Sequence, residues 1–399
     1  MPDASAPPID LLGGEFYARD PYPAFAWMRH HAPAYYDERS DIWGITRYED
    51  VKAAGQDPQT FSNAGGSRPG VVLPHMIDMD APEHRRRRRV VSAGFTPEAV
   101  RARAPRIREV CDGIIDDVCE RGTCDLVADV AAPLPLVMIA DMLGFAQADW
   151  AKLLEWSDIM LMSQGSPDPD ALDKATAAFI EWDGYVRDLI AERRKSGATD
   201  DLLGILVQAE VDGERLDDET LVHEALLILI GGDETTRHVI SGGMEALMRH
   251  PDQFEALRSD RSRLATAAEE MLRWVSPIKN MNRTTTRDVA LHGEEIPAGT
   301  NVLLLYPSAN RDETVFTLPD RFDIGRHPND HVAFGFGAHL CLGHRLARAE
   351  LNGMVDRLLD RLPDLHLAGD DPLPVRVSNF IVGFEAMPVA FTPTARRSA

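Results

Sequence analysis

The sequence predicts a mainly α fold with a small β-rich region. Two observations carry that class: helical periodicity dominates residues 97–250 and returns after Gly343, whereas strand-like runs are few and short, at Val289–Leu291 and at 302–306. The length of 399 residues alone would allow two or three domains. No linker divides them. The Pro/Gly/Ser-rich pieces at 62–74 and 163–169 are loop-sized, and no repeat or low-complexity tract interrupts the chain, so residues 1–399 are read as one domain.

Composition narrows the function classes. At 44% hydrophobic residues the chain can bury a large core, and its net charge of -22 repels nucleic acid, so the five-arginine run at 85–89 needs a local explanation. No run approaches the roughly 18 consecutive apolar residues of a membrane span. Residues 1–12 lack the basic, then apolar plan of a signal peptide. The expectation is a cytoplasmic monomer without a membrane span and without a nucleic-acid partner.

The helix after Gly343 leads to the most informative residue. Its apolar face carries Leu346, Ala347, Leu351, Met354, Val355, Leu358 and Leu362, and just before it runs Phe334-Gly335-Phe336-Gly337-Ala338-His339-Leu340-Cys341-Leu342-Gly343. Gly337 and Gly343, lacking a Cβ, let the backbone turn tightly around the Cys341 sulfur and aim N–H groups at it. The sulfur then lies near a helix N-terminus, where negative charge is stabilised. A thiolate held this way suits the axial position under a heme iron, where it favours O–O cleavage over reversible oxygen binding. A lone cysteine is otherwise a small buried hydrophobe. Cys111, Cys119 and Cys124 read as that, since no C-x-x-C, C-x-x-C-H or zinc spacing occurs, and four thiols suit a reducing compartment. The ten-residue pattern F-x-x-G-x-x-x-C-x-G sets Cys341 apart.

That run resembles the heme-binding signature of the cytochrome P450 superfamily. Glu270-Met271-Leu272-Arg273 is similar to the family's E-x-x-R, and Gly231-Gly232-Asp233-Glu234-Thr235-Thr236 to its oxygen-activating segment, in the expected order. The resemblance spans nearly the whole chain and implies a triangular prism of helices with a small β region, holding heme b with Cys341 as metal ligand. It also implies His84, Arg88, Arg283 and His339 as partners of the heme carboxylates, which need cationic or hydrogen-bonding groups in an apolar cavity. His84 and Arg88 stand four apart and share a helix face. Phe334 would shield the sulfur. Glu270 and Arg273, at i and i+3, would be a buried structural pair.

Residues 219–250 read as one very long helix, about 30 residues at about 1.5 Å each. Each glycine in a helix costs about 1 kcal/mol relative to alanine, so Gly231-Gly232 asks for a reason. Either the doublet permits a close helix contact, or it makes room for dioxygen and opens the backbone to water. Glu234 and Thr235 follow at once. Reductive cleavage of dioxygen needs two protons, and a carboxylate beside a hydroxyl can relay them through water.

For the substrate, Phe61 to Gly66, Met76 to Asp80, Gly231 to His238 and Lys279-Asn280-Met281 resemble the actinobacterial cytochromes P450 that oxidise the cholesterol side chain. The substrate implied is cholesterol or cholest-4-en-3-one, hydroxylated at a terminal side-chain methyl and then carried on toward the acid. An apolar channel would be lined by Met76, Ile77, Leu226, Leu229, Gly231, Val275, Ile278, Phe380 and Ile381. A fatty acid, terpenoid or polyketide would suit the same residues. A gas or redox sensor would append a signalling module, which is not visible, and peroxide-driven hydroxylases often lack the acid-alcohol pair. No flavin, nicotinamide or iron-sulfur fingerprint occurs in the chain. Electrons are therefore expected from a ferredoxin and an NAD(P)H-dependent ferredoxin reductase, the acidic ferredoxin docking on Arg85, Arg86, Arg89, Arg345 and Arg348.

Overall fold

Local chemistry starts and stops the helices that set the site. The computed structural model describes residues 7–197, 200–211 and 213–397; residues 1–6 of the leader-free reading, and the ends of the single-domain reading, lie outside them. Helix α1 (Glu83–Ser92) follows Pro82. Helix α2 (Pro133–Leu143) opens on proline, whose missing N–H costs nothing there, and stops at Gly144, φ 76°. Helices α3 (Trp150–Met162) and α4 (Ala171–Ser196) come next. Helix α5 (Asp218–Arg249) is capped by Asp217, whose side chain accepts the Thr220 N–H at 2.7 Å, and ends before Pro251. Helix α6 (Leu264–Val275) ends at Ser276, φ 40°, and α7 (His344–Arg361) follows the Cys341 loop.

The long helix expected at 219–250 is therefore present almost to the residue. It packs against α2, α4, α6 and α7, and the main core surrounds it, with Leu221, Leu229, Ile240, Met244 and Leu247 fully enclosed. Helix α7 in turn packs on α6 and on the helix Ala104–Val118. One stretch, Leu126–Leu143, is long and apolar enough on average for a membrane span, although it is not a run of consecutive apolar residues. Asp129, Pro133 and Pro135 interrupt it, and 78% of it is buried inside the protein, as in a core helix.

Strands β1 (Ala34–Asp37), β2 (Ile42–Ile45), β3 (Phe61–Ser62), β4 (Met281–Thr285) and β5 (Asn301–Leu304) form one sheet in the order β1-β2-β5-β4-β3. β5 runs parallel to β2, and the other neighbours are antiparallel. In this register Arg283 lies opposite Val302, so the sheet fixes where the arginine stands. Val289–Leu291 is a strand as expected, paired with Glu294–Ile296. The strand expected over 302–306 is cut short at Leu304: Tyr306 begins a helical turn, Tyr306–Ala309, because Pro307 has no N–H for the ladder.

Candidate functional site

The Cys341 loop is shaped by its glycines. Gly335 (φ 68°) and Gly337 (φ 75°) adopt left-handed backbone, and a Cβ on Gly337 would fall 2.0 Å from the Gly55 carbonyl oxygen, so no other residue fits that crossing. The turn closes with the Cys341 N–H donating to the Phe334 carbonyl at 2.9 Å. Burial pushes the Cys341 thiol up. The backbone N–H groups of Gly343 and His344 and the charges of Arg88 and Arg348 oppose that shift, as a site built for a thiolate requires. Cys111 and Cys124 are pushed up to about 12 by burial and stay protonated. The Phe334 ring, half-buried beside the loop, carries the Arg348 guanidinium 4.5 Å above it.

His84, Arg88, Arg283 and His339 come together although they lie on α1, β4 and the Cys341 loop. The His84 and His339 rings stack with centroids 3.8 Å apart. Burial lowers His339 to about 2, helped by the charges of His84, Arg283 and Arg88, all of one sign. Burial likewise lowers His84 to about 4, with Arg88 acting the same way. A buried convergence of basic groups calls for anions, and the two carboxylates of a heme meet that need beside a cysteine ligand. The residues present fit the group. Tyr306, which the sequence did not mark, is buried nearby, and the Arg283 charge acts on its hydroxyl.

Glu270 and Arg273 are both fully buried and pair in fork geometry, Nε and Nη2 each 2.8 Å from a carboxylate oxygen. Arg273 also donates to the carbonyls of Asn310 and Pro319, at 2.9 Å each. Glu270 accepts from Arg326, Asn329 and the Asp323 N–H besides. The pair thus gathers the segment that leads into the Cys341 loop.

On α5 the glycine doublet divides between the two expected roles. A Cβ on Gly232 would meet Ile139 Cγ1 of α2 at 2.6 Å, so this glycine serves a close helix contact. A Cβ on Gly231 would meet nothing within 4 Å, so Gly231 is the one that leaves room. Gly232→Ala is accordingly expected to lower stability: overpacking costs about 1–3 kcal/mol and the gain in helix propensity returns at most about 1 kcal/mol. Gly231→Ala should unfold at or above the parent temperature but bind sterol more weakly. Thermal unfolding and ligand titration of the two variants, side by side, check the division.

Thr235 Oγ1 donates back to the Gly231 carbonyl at 3.1 Å, the i−4 bond that bends helices. Glu234 is fully buried and does not meet Thr235. It takes Arg376 Nη1 at 2.8 Å, pairs with Arg237, and has His238 Nε2 at 3.6 Å. Burial would raise its carboxyl, but the nearby His238 and the two arginine charges hold it well below the usual carboxylate range. Asp158 of α3, 29% exposed at its side chain, binds both arginines at 2.7 Å and links the cluster to solvent. The i+3 spacing of Arg237 was legible in the sequence. Arg376, 142 residues away, gave no such signal.

Two groups of expected residues need correction. Between Thr220 and Met244 the positions of α5 that keep exposed surface are Leu227, Ile230, Gly231, Gly232 and Thr235. Of the residues expected to line a channel, Leu229 has no exposed surface and packs in the core, and Leu226 keeps 9%. The open face lies one residue further round, and a helix apolar on all sides hides its register. Met76 is likewise buried in the core, while Ile77, Val275, Ile278 and Phe380 are half-buried. An antiparallel bridge joins Ile278 to Ile381, and the Lys279 N–H donates to the Phe380 carbonyl at 2.8 Å. Among the arginines expected to form a docking surface, Arg348 forks onto Glu269 at 2.6 and 2.8 Å and Arg86 pairs with Glu83 at 2.7 Å. Arg348 is thereby tied to α6, whereas the Arg86–Glu83 pair lies at the exposed surface. Arg85, Arg89 and Arg345 remain exposed.

The geometry agrees with what the chain is similar to. The cytochrome P450 family model matches residues 34–376. The steroid C26-monooxygenase of Mycolicibacterium smegmatis is 50% identical over 392 residues, covering 98% of this chain and 97% of the relative. That of Mycobacterium tuberculosis is 50% identical over 393 residues, 98% of each. Among solved structures, a Bacillus megaterium cytochrome P450 in complex with testosterone matches with TM-score 0.88 and 32% identity, over 95% of this chain and 99% of that one. A glycine-shaped cysteine loop backed by anion-seeking cations, together with a long helix that carries an acid and an alcohol after a glycine doublet, thus stands in a chain that belongs to the cytochrome P450 family, a monooxygenase with heme b as its cofactor.

Proposed function

We propose that this chain is one heme-thiolate domain that hydroxylates the terminal side-chain methyl of cholesterol or cholest-4-en-3-one, and carries the product on toward the acid. The observation that carries this reading is the 50% identity, over nearly the whole chain, to relatives named steroid C26-monooxygenase. The open, apolar face of α5 at Leu227 and Ile230, leading to Gly231 and Thr235, supports it as the wall along which a sterol tail approaches. Heme, when bound, supplies the reductive activation of dioxygen. Cys341 is its ligand, Phe334 shields the sulfur, and His84, Arg88, Arg283 and His339 hold the carboxylates.

The acid-alcohol pair then works through an intermediary network. Protons enter from solvent at Asp158, and the ionised Glu234, fixed by Arg237 and Arg376, orients the water that hands them to the Thr235 hydroxyl, while the arginines keep their own protons. Thr235 presents them where oxygen is cleaved, while the surrounding apolar side chains exclude stray water. Electrons come from a ferredoxin served by an NAD(P)H-dependent reductase, and the exposed Arg85, Arg89 and Arg345 offer its acidic surface a landing on this otherwise acidic protein. We place the enzyme in the cytoplasm as a monomer.

The test is turnover of cholest-4-en-3-one with a ferredoxin system in the parent and in Thr235→Ala. The variant loses one small hydroxyl, so its fold and sterol affinity should stay nearly intact. NADH consumption should continue while most of it ends as peroxide. Unchanged product per NADH would remove Thr235 from the relay.

A further inference from the structure

The N-terminal half of α5 and the loop before Met76 bring together a polar pair that the proton network and the cysteine loop leave unused. His223 stands one helical turn before Leu227 and extends the same side of the helix away from Thr235. It is 8% exposed, stacks on Phe179 of α4 with ring centroids 5.1 Å apart, and its Nδ1 is buried without a hydrogen-bond partner. Facing it is His75, 7% exposed, in the loop before the turn Met76–Asp78. The two imidazole centroids are 6.5 Å apart, and His75 Nδ1 is also buried and unpartnered. The nearest carboxylate, Asp78, lies 3.9 Å from it and is already occupied by the N–H groups of Ser67 and Leu73.

Buried polar atoms without partners are rare enough that each calls for one. Here two imidazoles from separate elements share a single joint, bordered by Met76 and Phe179. Burial keeps both rings neutral, so each offers a donor and an acceptor and suits an uncharged oxygen rather than a carboxylate. Distance supplies the second constraint. Thr235 lies twelve residues beyond His223, about 18 Å along the helix axis at about 1.5 Å per residue. That span matches an extended sterol from its ring oxygen to the end of its side chain.

We infer that His75 and His223 form a polar anchor for the C3 oxygen of the sterol, setting which end of the molecule reaches Thr235. The anchor rests on the sterol reading above and adds specificity-determining residues to it. With the ring oxygen held at the far end of α5, the tail is the part left to meet Gly231 and Thr235. A sterol without that oxygen should bind with less preference for one orientation.

The experiment compares cholest-4-en-3-one with 5α-cholestane, the same skeleton without the ring oxygen, by following the Soret band of the heme-loaded protein. The parent should bind the ketone about tenfold more tightly, the worth of about one hydrogen bond. His223→Leu should lose that preference while keeping its affinity for cholestane, and His75→Leu should behave alike. His223→Asn, which keeps an amide donor near the Nδ1 position, should retain it. Equal weakening toward both ligands would make the histidines structural and overturn the anchor, as would an unchanged preference in both leucine variants. If the parent responds to neither sterol, the substrate reading falls and the anchor with it. A response to both without any histidine dependence removes the anchor alone.

Discussion

Cys341→Ala is expected to abolish the red-shifted Soret band of the reduced, carbon-monoxide-treated protein and to reduce sterol oxidation to background. The expectation depends on the loop surviving the change. Its path is set by the left-handed Gly335 and Gly337, by the backbone bond from Cys341 to Phe334 and by the start of α7, none of which uses the sulfur. What alanine removes is the thiolate toward which the Gly343 and His344 N–H groups and the Arg88 and Arg348 charges are turned. The other cysteines cannot replace it, since Cys111 and Cys124 are held protonated by burial. Spectra and turnover of the variant check this together. A thiolate-type spectrum in Cys341→Ala would require another ligand.

Arg273→Ala should cost the protein its heme-loaded fold. The guanidinium satisfies Glu270 in a fork and three backbone carbonyls besides, those of Asn310, Pro319 and Arg321, with both side chains of the pair fully buried. Removing one partner of a buried pair typically costs about 3–5 kcal/mol, and Glu270 would be left with Arg326 as its charged partner. Net stability of a folded protein is typically about 5–15 kcal/mol, so the loss is a large share of it. Arg326 and Asn329 still bond Glu270, but the carbonyls of Asn310 and Pro319 lose the donor that Arg273 gave them. Arg273→Lys should fail nearly as badly, since one ammonium cannot replace a planar fork. Heme per protein and the unfolding temperature report the outcome. Parent-like values for both would show that the pair is dispensable.

These two sites were legible because their chemistry is local in sequence. Glu270 and Arg273 lie on one helical turn, and the glycines and cysteine of residues 334–343 form one loop. The long α5 was equally legible, since its apolar stretch is bounded by an Asp217 cap and Pro251. What escaped was whatever depends on distant partners. Arg348 was read as a free cation because Glu269, which takes it, lies 79 residues away, and Arg376 reaches Glu234 from the far end of the chain. The open face of α5 was misjudged at Leu226 and Leu229 for a different reason: an apolar run buried nearly all round carries no amphipathic signal to say which side stays open.

The most direct measurement is the structure of the product formed from cholest-4-en-3-one by the intact protein with dioxygen, a ferredoxin and its NAD(P)H-dependent reductase. Mass and nuclear magnetic resonance spectra should place the new oxygen on a terminal side-chain methyl, with the ring system unchanged. Oxygen on the rings, or unaltered sterol from an enzyme that binds heme and accepts electrons, would contradict side-chain oxidation.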